Sequence, residues 1–175
     1  NVEGEGHLWI AKFTSERDAK PIERAEVATL KLAAMCGLRA AEARLELAAS
    51  DHPVALIRRF DRRGATRIPY ISARTALDWQ SEDSGFYTDI ADLIRQISSN
   101  PFEDLHELWR RIVFTVLVSN TDDHLKNHGF IYSGSDRWRL SPAFDINPSP
   151  SRHRILETGI VQGGSFDASL DIALD

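Results

Sequence analysis

One cysteine and one methionine occur in 175 residues. A single thiol cannot build a disulfide framework, so a reducing compartment fits. Cys36 follows Leu30, Leu32, Ala33 and Met35 in a helical apolar pattern, where it is expected to be a small buried hydrophobe rather than a nucleophile. No apolar run approaches the ~20 residues of a membrane-crossing helix, and the first residues lack the layout of a secretory leader. A cytoplasmic protein without membrane contact is therefore expected. Internal repeats and low-complexity tracts are missing. Basic charge is not in excess: 21 Lys and Arg against 26 Asp and Glu leave a net charge of -5, which argues against a free-standing nucleic-acid binder. What remains, 42% apolar and 27% charged, is a globular composition that excludes wholesale disorder.

The β-rich run His7 to Phe13 predicts a strand, with Lys12 inside it between apolar neighbours. A helix is predicted over 21–36: Pro21 suits its first turn, Glu23 and Glu26 its N-terminal half, and Gly37 its end. Arg44 to Ala48 and Val54 to Phe60 read as strands joined across Ser50-Asp51-His52-Pro53. A knot of charge, Arg58 to Arg63, ends the second. Ser72 is placed to cap a short helix through Trp79, and Asp83 or Ser84 to cap another over Tyr87 to Ile97. Pro101 begins a long helix to Val118, whose Leu105, Leu108, Ile112, Val113, Val116 and Leu117 form a wide apolar face. Phe130 to Tyr132 and Trp138 to Leu140 make a hairpin around Ser133 to Asp136. Trp9, Trp79, Trp109 and Trp138 are expected in the core. The chain begins without Met and closes on what reads as the opening of a helix, so a fragment of a longer protein is expected. The fold class is α+β, with a strand-containing part over 1–62 and a mainly helical part over 63–175.

Directly behind the long helix comes Ser119-Asn120-Thr121-Asp122-Asp123-His124-Leu125-Lys126-Asn127, a density of polar groups unusual for a connecting loop. Asp145 follows in Ser141-Pro142-Ala143-Phe144-Asp145. Helix, polar loop, short hairpin and an Asp after an aromatic is the order used by protein-kinase-like phosphotransferases. Phosphoryl transfer needs a cation on the phosphates, oxygen ligands for magnesium, a base for the attacking hydroxyl and a slot for adenine. Lys12 can supply the first, Asn127 and Asp145 the second, and Asp122 the third. Phe60 with the backbone of Arg58 to Phe60 is a candidate for the slot. Asp123 reads as a solvated spacer, and Glu26 either as a partner of Lys12 or as an exposed helix carboxylate. His7, His52, His106, His128 and His153 show no metal-ligand spacing and read as structural or exposed.

The spaced polar motif Asn120-x-Asp122-x-His124-x-Lys126-Asn127, with Ser141 to Asp145, Arg59-Phe60-Asp61-Arg62, Arg67 to Ser72 and Trp9 to Phe13, resembles the HipA-like serine/threonine kinases of bacterial toxin–antitoxin modules. The resemblance covers roughly residues 8–150. It implies a two-lobed kinase-like fold, Asp122 as catalytic base, Asn127 and Asp145 on Mg²⁺, and Lys12 on the phosphates of ATP. It implies hinge contacts from Phe60 and from the backbone of Arg58, although the family usually has an acidic residue where Arg58 stands. His124 and Lys126 belong to the motif, with Lys126 near the γ-phosphate. The partners implied are a protein with a Ser or Thr acceptor and a helix-turn-helix antitoxin, with DNA reached only through the antitoxin. The family's Gly-rich phosphate cover has no counterpart here, because Gly4 and Gly6 read as a hairpin turn. Other readings are a small-molecule kinase, a catalytically silent nucleotide-binding or antitoxin-interacting module, and a metal hydrolase using Asp122, Asp123 and His124.

Overall fold

In the computed structural model, residues 1–4, 6–13, 22–79, 85–149 and 154–174 are described. They form two compact units, Asn1–Ile68 with Pro142–Asn147, and Pro69–Ser141 with Pro148–Asp175. Both mix helices with antiparallel sheets.

In the first unit β1 (Val2–Gly4) and β2 (His7–Phe13) form the hairpin that Gly4 and Gly6 suggest, Gly6 taking a φ of 73°. Strand alternation turns the indole of Trp9 into the core, 1% exposed. Helix α1 (Ile22–Met35) packs on the sheet through Val27, Leu30 and Ala33. The proposed role of Pro21 lies outside the described residues. Gly37 closes α1 with a φ of 82°, its N–H bonding Ala34 O at 3.0 Å while Leu38 N–H reaches Ala33 O at 3.0 Å. That left-handed cap is available to glycine at little cost. It also corrects the expectation for Cys36, which is exposed, because the helix ends before its buried face can continue. Strands β3 (Ala43–Glu46) and β4 (Val54–Arg58) complete an antiparallel sheet in the order β1-β2-β4-β3. A small hairpin follows, β5 (Arg62–Arg63) and β6 (Thr66–Arg67).

The second unit opens with β7 (Tyr70–Ser72) and α2 (Ala73–Ala76), where the Ser72 hydroxyl accepts the Thr75 N–H at 3.2 Å. Helix α3 (Tyr87–Ile97) is capped at Phe86, whose N–H donates to the Asp89 carboxylate at 3.1 Å. The expected caps Asp83 and Ser84 lie outside the described residues. Helix α4 (Pro101–Val118) starts at Asn100, whose side-chain oxygen accepts the Glu103 N–H at 3.4 Å. Strands β8 (Gly129–Gly134) and β9 (Arg137–Leu140) form the hairpin and continue the sheet β7-β8-β9. Helix α5 (Leu170–Leu174) lies along α4.

The core of this unit joins Tyr87, Ile90 and Ile94 of α3 to Leu108, Ile112 and Val116 of α4 and to Phe130 and Leu140 of the sheet. Helical spacing selects Leu108, Ile112 and Val116 for this contact, with Leu105 and Val113 at its margin. Leu117, expected on the same face, is 61% exposed, since one residue past Val116 the helix has turned by about 100°. Trp109 is likewise 47% exposed rather than core; its indole N–H donates to Ala173 O at 3.0 Å. No helix of the described residues is long and apolar enough to cross a membrane.

Phe130 is fully buried where α3, α4 and the sheet meet. Phe130→Ala should therefore lower stability by about 3–5 kcal/mol, read from the urea unfolding midpoint. A loss below about 1 kcal/mol would contradict this account of the core.

Candidate functional site

In the first unit, pairing with β4 holds Lys12 opposite Ala55 and leaves its side chain half-buried. The ammonium lies 2.6 Å from Glu26 Oε1 and 2.6 Å from Asp145 Oδ1. Of the two readings open for Glu26, the structure selects the lysine partner: the carboxylate is buried on α1, not exposed. Burial opposes the charge on Lys12, but the two carboxylates outweigh it and hold the ammonium above its ordinary pKa. Burial also pushes Glu26 up, an effect that the neighbouring Lys12 only partly offsets. Asp145 sits at a left-handed φ of 57° and accepts the Asn147 amide at 3.2 Å. These residues, with Phe13, Ile22 and Glu23, line a cavity of about 400 Å³.

A second cavity of about 260 Å³ in the same unit is lined by Ala40, Ala41, Glu42, Arg58, Arg59, Phe60, Arg62 and Pro142. It brings together the two residues expected at the adenine slot. Phe60 stacks obliquely on Phe144, ring centroids 5.6 Å apart. Arg58 is engaged on both levels: its N–H bonds Glu42 O at 2.8 Å, and its guanidinium meets Glu42 Oε2 at 2.7 Å and His7 Nδ1 at 3.1 Å. Asp61 anchors this edge. It takes Arg59 in a two-pronged bond at 2.7 and 2.5 Å and Arg62 at 2.7 Å, and the Arg59 bonds above all hold its carboxyl below the ordinary value.

In the second unit, α4 ends through Ser119 in left-handed conformation, φ 56° and ψ 44°. The chain then turns into the polar loop, with Asn120 N–H on Thr115 O at 3.0 Å. Asp122 is exposed, while its backbone carbonyl accepts His124 N–H and the Asn127 side-chain amide, both at 3.1 Å. Asn127, 7% exposed, thereby commits its NH₂ end and leaves its oxygen as the end suited to a cation. Lys126 is exposed, and the buried Nδ1 of His124 has no hydrogen-bond partner among the described residues. Lys12, Arg58, Phe60 and Asp145 thus belong to the first unit, and Asp122, His124, Lys126 and Asn127 to the second.

Asp123 departs from expectation. It is 5% exposed, not a solvated spacer. Its Oδ2 accepts the Tyr87 hydroxyl, the Thr115 hydroxyl at 3.3 Å and His128 Nε2 at 3.1 Å, and its backbone carbonyl accepts the Thr158 hydroxyl. Burial alone would raise this carboxyl, yet His128, Tyr87 and Thr115 together leave it below the ordinary carboxylate value. Burial and the neighbouring charge push the Tyr87 phenol well above its usual pKa, so it stays a donor. The four partners were missed because they are spread over the chain: Tyr87 lies 36 residues from Asp123, and no local pattern marks it. A carboxylate so enclosed is not offered to a metal, which removes the basis of the metal-hydrolase reading. Among the described residues no group of three or more His, Cys, Asp or Glu could hold a metal ion. The carboxylate of Asp145 and the carboxamide oxygen of Asn127 are hard oxygen donors of the kind Mg²⁺ takes alongside water and phosphate.

Comparison with known proteins bears on the family and on the fold. The sequence model of the HipA-like C-terminal domain matches residues 1–172. The Sinorhizobium fredii protein named "Putative kinase Y4dM" is 34% identical over 159 residues, 83% of this chain and 38% of that protein. A Haemophilus influenzae protein named "Putative kinase" is 36% identical over 67 residues, 37% of this chain and 20% of its own length. The chain thus spans less than half of these curated relatives. Among solved structures, a chain of the Shewanella oneidensis MR-1 complex of HipA, HipB and operator DNA superposes with a TM-score of 0.76 at 19% identity, covering 91% of this chain and 42% of that one. The Helicobacter pylori proinflammatory kinase CtkA gives 0.67 at 19% identity, covering 83% and 52%. At such identities the likeness is one of fold.

The lowered pKa of Asp123 has a consequence for acid stability. A carboxyl whose folded pKa is depressed contributes stability that is fully present above its unfolded value, about 3.9, and is lost as pH falls through the folded value. Asp123→Asn should therefore flatten the fall of stability below about pH 4, measured as urea midpoints across pH. An unchanged slope would mean that the Asp123 carboxyl titrates alike in the folded and unfolded chain.

Proposed function

The chain belongs to the HipA-like C-terminal domain family, and on that footing we propose that it is the chemical core of an ATP- and Mg²⁺-dependent protein serine/threonine kinase of the HipA toxin type. The observation that carries the reading is the double ion pair of Lys12 with Glu26 and Asp145. A strand lysine held between a helix glutamate and the aspartate after an aromatic is the arrangement that kinase-like enzymes use on nucleotide phosphates. Residues 1–62 are the nucleotide-binding part in this proposal and 63–175 the catalytic part, with Asp145 contributed from the later sequence.

In the reaction proposed, the Ser or Thr hydroxyl oxygen bonds to the γ-phosphorus while the bond from that phosphorus to the β,γ-bridging oxygen breaks. ADP departs with the electron pair, and the hydroxyl proton passes to the Asp122 carboxylate. Lys12 and Lys126 neutralise phosphate oxygens, His124 supports the same group, and Phe60 with the Arg58 backbone holds adenine. Asn127 and Asp145 are the proposed ligands of Mg²⁺, which when bound would offset charge on the phosphates. The Arg58 side chain is occupied by Glu42 and His7 and its N–H by Glu42 O, so the backbone contact in this proposal is made by its carbonyl. The partners proposed are a protein acceptor in the cytoplasm and a helix-turn-helix antitoxin, in line with the HipA–HipB–DNA complex that the fold resembles.

A second reading, a nucleotide-binding module without transfer activity, is favoured by the β1–β2 connection. Gly4 pairs with His7, so β1 and β2 close directly on one another rather than through a long phosphate-covering loop.

The test is a radiometric ATP assay on the full-length parent and its Asp122→Asn variant. Loss of the base should lower incorporation by about 10²–10⁴-fold. Equal incorporation by both would sink the assignment, and thermal stabilisation by ATP without any transfer would select the second reading.

A further inference from the structure

We propose that Asp123 is the positioning residue of the loop that carries Asp122, its buried carboxylate pinning the backbone on which the base stands. The kinetic consequence rests on the phosphotransfer reading; the structural consequence does not.

Two adjacent aspartates meet opposite environments: Asp122 is exposed and Asp123 is 5% exposed. An exposed side chain on a polar loop is ordinarily mobile, whereas a reacting group has to be held within about 0.5 Å of its working position. The structure resolves this conflict by fastening the backbone around Asp122 while leaving its side chain free to meet substrate. Three successive carbonyls are occupied. Thr121 O takes Glu157 N–H at 2.9 Å, Asp122 O takes His124 N–H and the Asn127 amide, and Asp123 O takes the Thr158 hydroxyl at 2.5 Å. The side chain of Asp123 then ties this backbone to the core through three donors on three elements. Tyr87 is the first residue of α3, Thr115 lies in the last turn of α4, and His128 immediately precedes β8.

The donors are themselves locked. The Tyr87 ring, 1% exposed, meets the His128 ring edge-on, centroids 5.4 Å apart at 83°. Tyr87 N–H bonds Gly159 O at 2.8 Å, so the residue that grips the Asp123 carboxylate is tied to the segment that takes the Thr121 and Asp123 carbonyls. The contacts close into a ring. A carboxylate suits the centre because it only accepts, and its lone pairs can serve several donors at once. Asn would bring two hydrogens into a space already filled with hydrogens, and Leu would leave a phenol, a hydroxyl and an imidazole unpaired. Where stability alone is at issue, apolar packing does as well as a buried charge. A charge retained at this point, one residue from the base, specifies direction.

Asp123→Asn and Tyr87→Phe in the full-length parent separate positioning from bulk stability. Asp123→Asn should lower kcat by about 10- to 100-fold, the scale of a misplacement near 1 Å. The KM for ATP should change by less than kcat, because Lys12, Phe60 and Asp145, which lie in the first unit, are untouched. Amide exchange at His124 and Asn127 should accelerate by about tenfold or more while β2 and β4 keep their protection. Tyr87→Phe keeps the ring, loses one of three donors, and should show the same pattern at smaller amplitude; it carries the test if Asp123→Asn does not fold. An unchanged kcat in a folded variant, or kcat and KM moving together with uniform deprotection of α3 and β8, would overturn the proposal. If the parent transfers no phosphate, the phosphotransfer reading fails separately and the exchange data decide alone: unaltered protection of the loop then rejects positioning.

Discussion

A charge removed from water has to be met by partners, and that constraint shapes both units of this chain. In the first unit the half-buried ammonium of Lys12 draws in Glu26 from α1 and Asp145 from far along the chain. In the second, the enclosed carboxylate of Asp123 draws donors from α3, from α4 and from the start of β8. Each cluster fastens a polar segment to a rigid element. Without them the segment bearing Asp145 and the loop bearing Asp122 would be ordinary connections.

The regular elements supply that rigidity. The β2–β4 pairing sets where Lys12 emerges, and the apolar stripe of α4 seats its C-terminal end against α3 and the sheet. Ser119 then turns the chain sharply, its left-handed conformation tolerated because Asn120 and Ser119 N–H groups still find carbonyls in the last turn of the helix. The same logic of buried polar anchoring recurs away from the site. Asp104, fully buried on α4, takes Ser98, Arg139 and the Leu140 N–H, which stitches α4 to β9.

Local signals were sound where the physics is local. The limits of β2, the Ser72 cap, the start of α4 at Pro101 and the β8–β9 hairpin all follow from periodicity, capping and turn chemistry within a few residues. Expectations failed where exposure depends on what the rest of the chain covers. Cys36 and Leu117 sit in apolar patterns yet face solvent, because the helix ends in one case and the core lies about a third of a turn away in the other. Trp109 is half-exposed although its indole N–H reaches Ala173 O, because the short helix α5 covers only part of the ring. Asp123 is the reverse error: a polar residue read as solvated because nothing nearby in sequence announces Tyr87, Thr115 or Thr158.

By itself the amino-acid order determined the family, through the spacing of Asn120, Asp122, His124, Lys126 and Asn127 and the later Asp145. Spacing of that kind is legible in one dimension because most of its residues lie within one short loop. Which of two adjacent aspartates stays in water, whether Glu26 meets Lys12, and which segment takes the carbonyls beside Asp122 were decided only by tertiary structure. Those outcomes depend on donors and acceptors brought together across dozens of residues, and burial is a property of that assembly rather than of any one side chain.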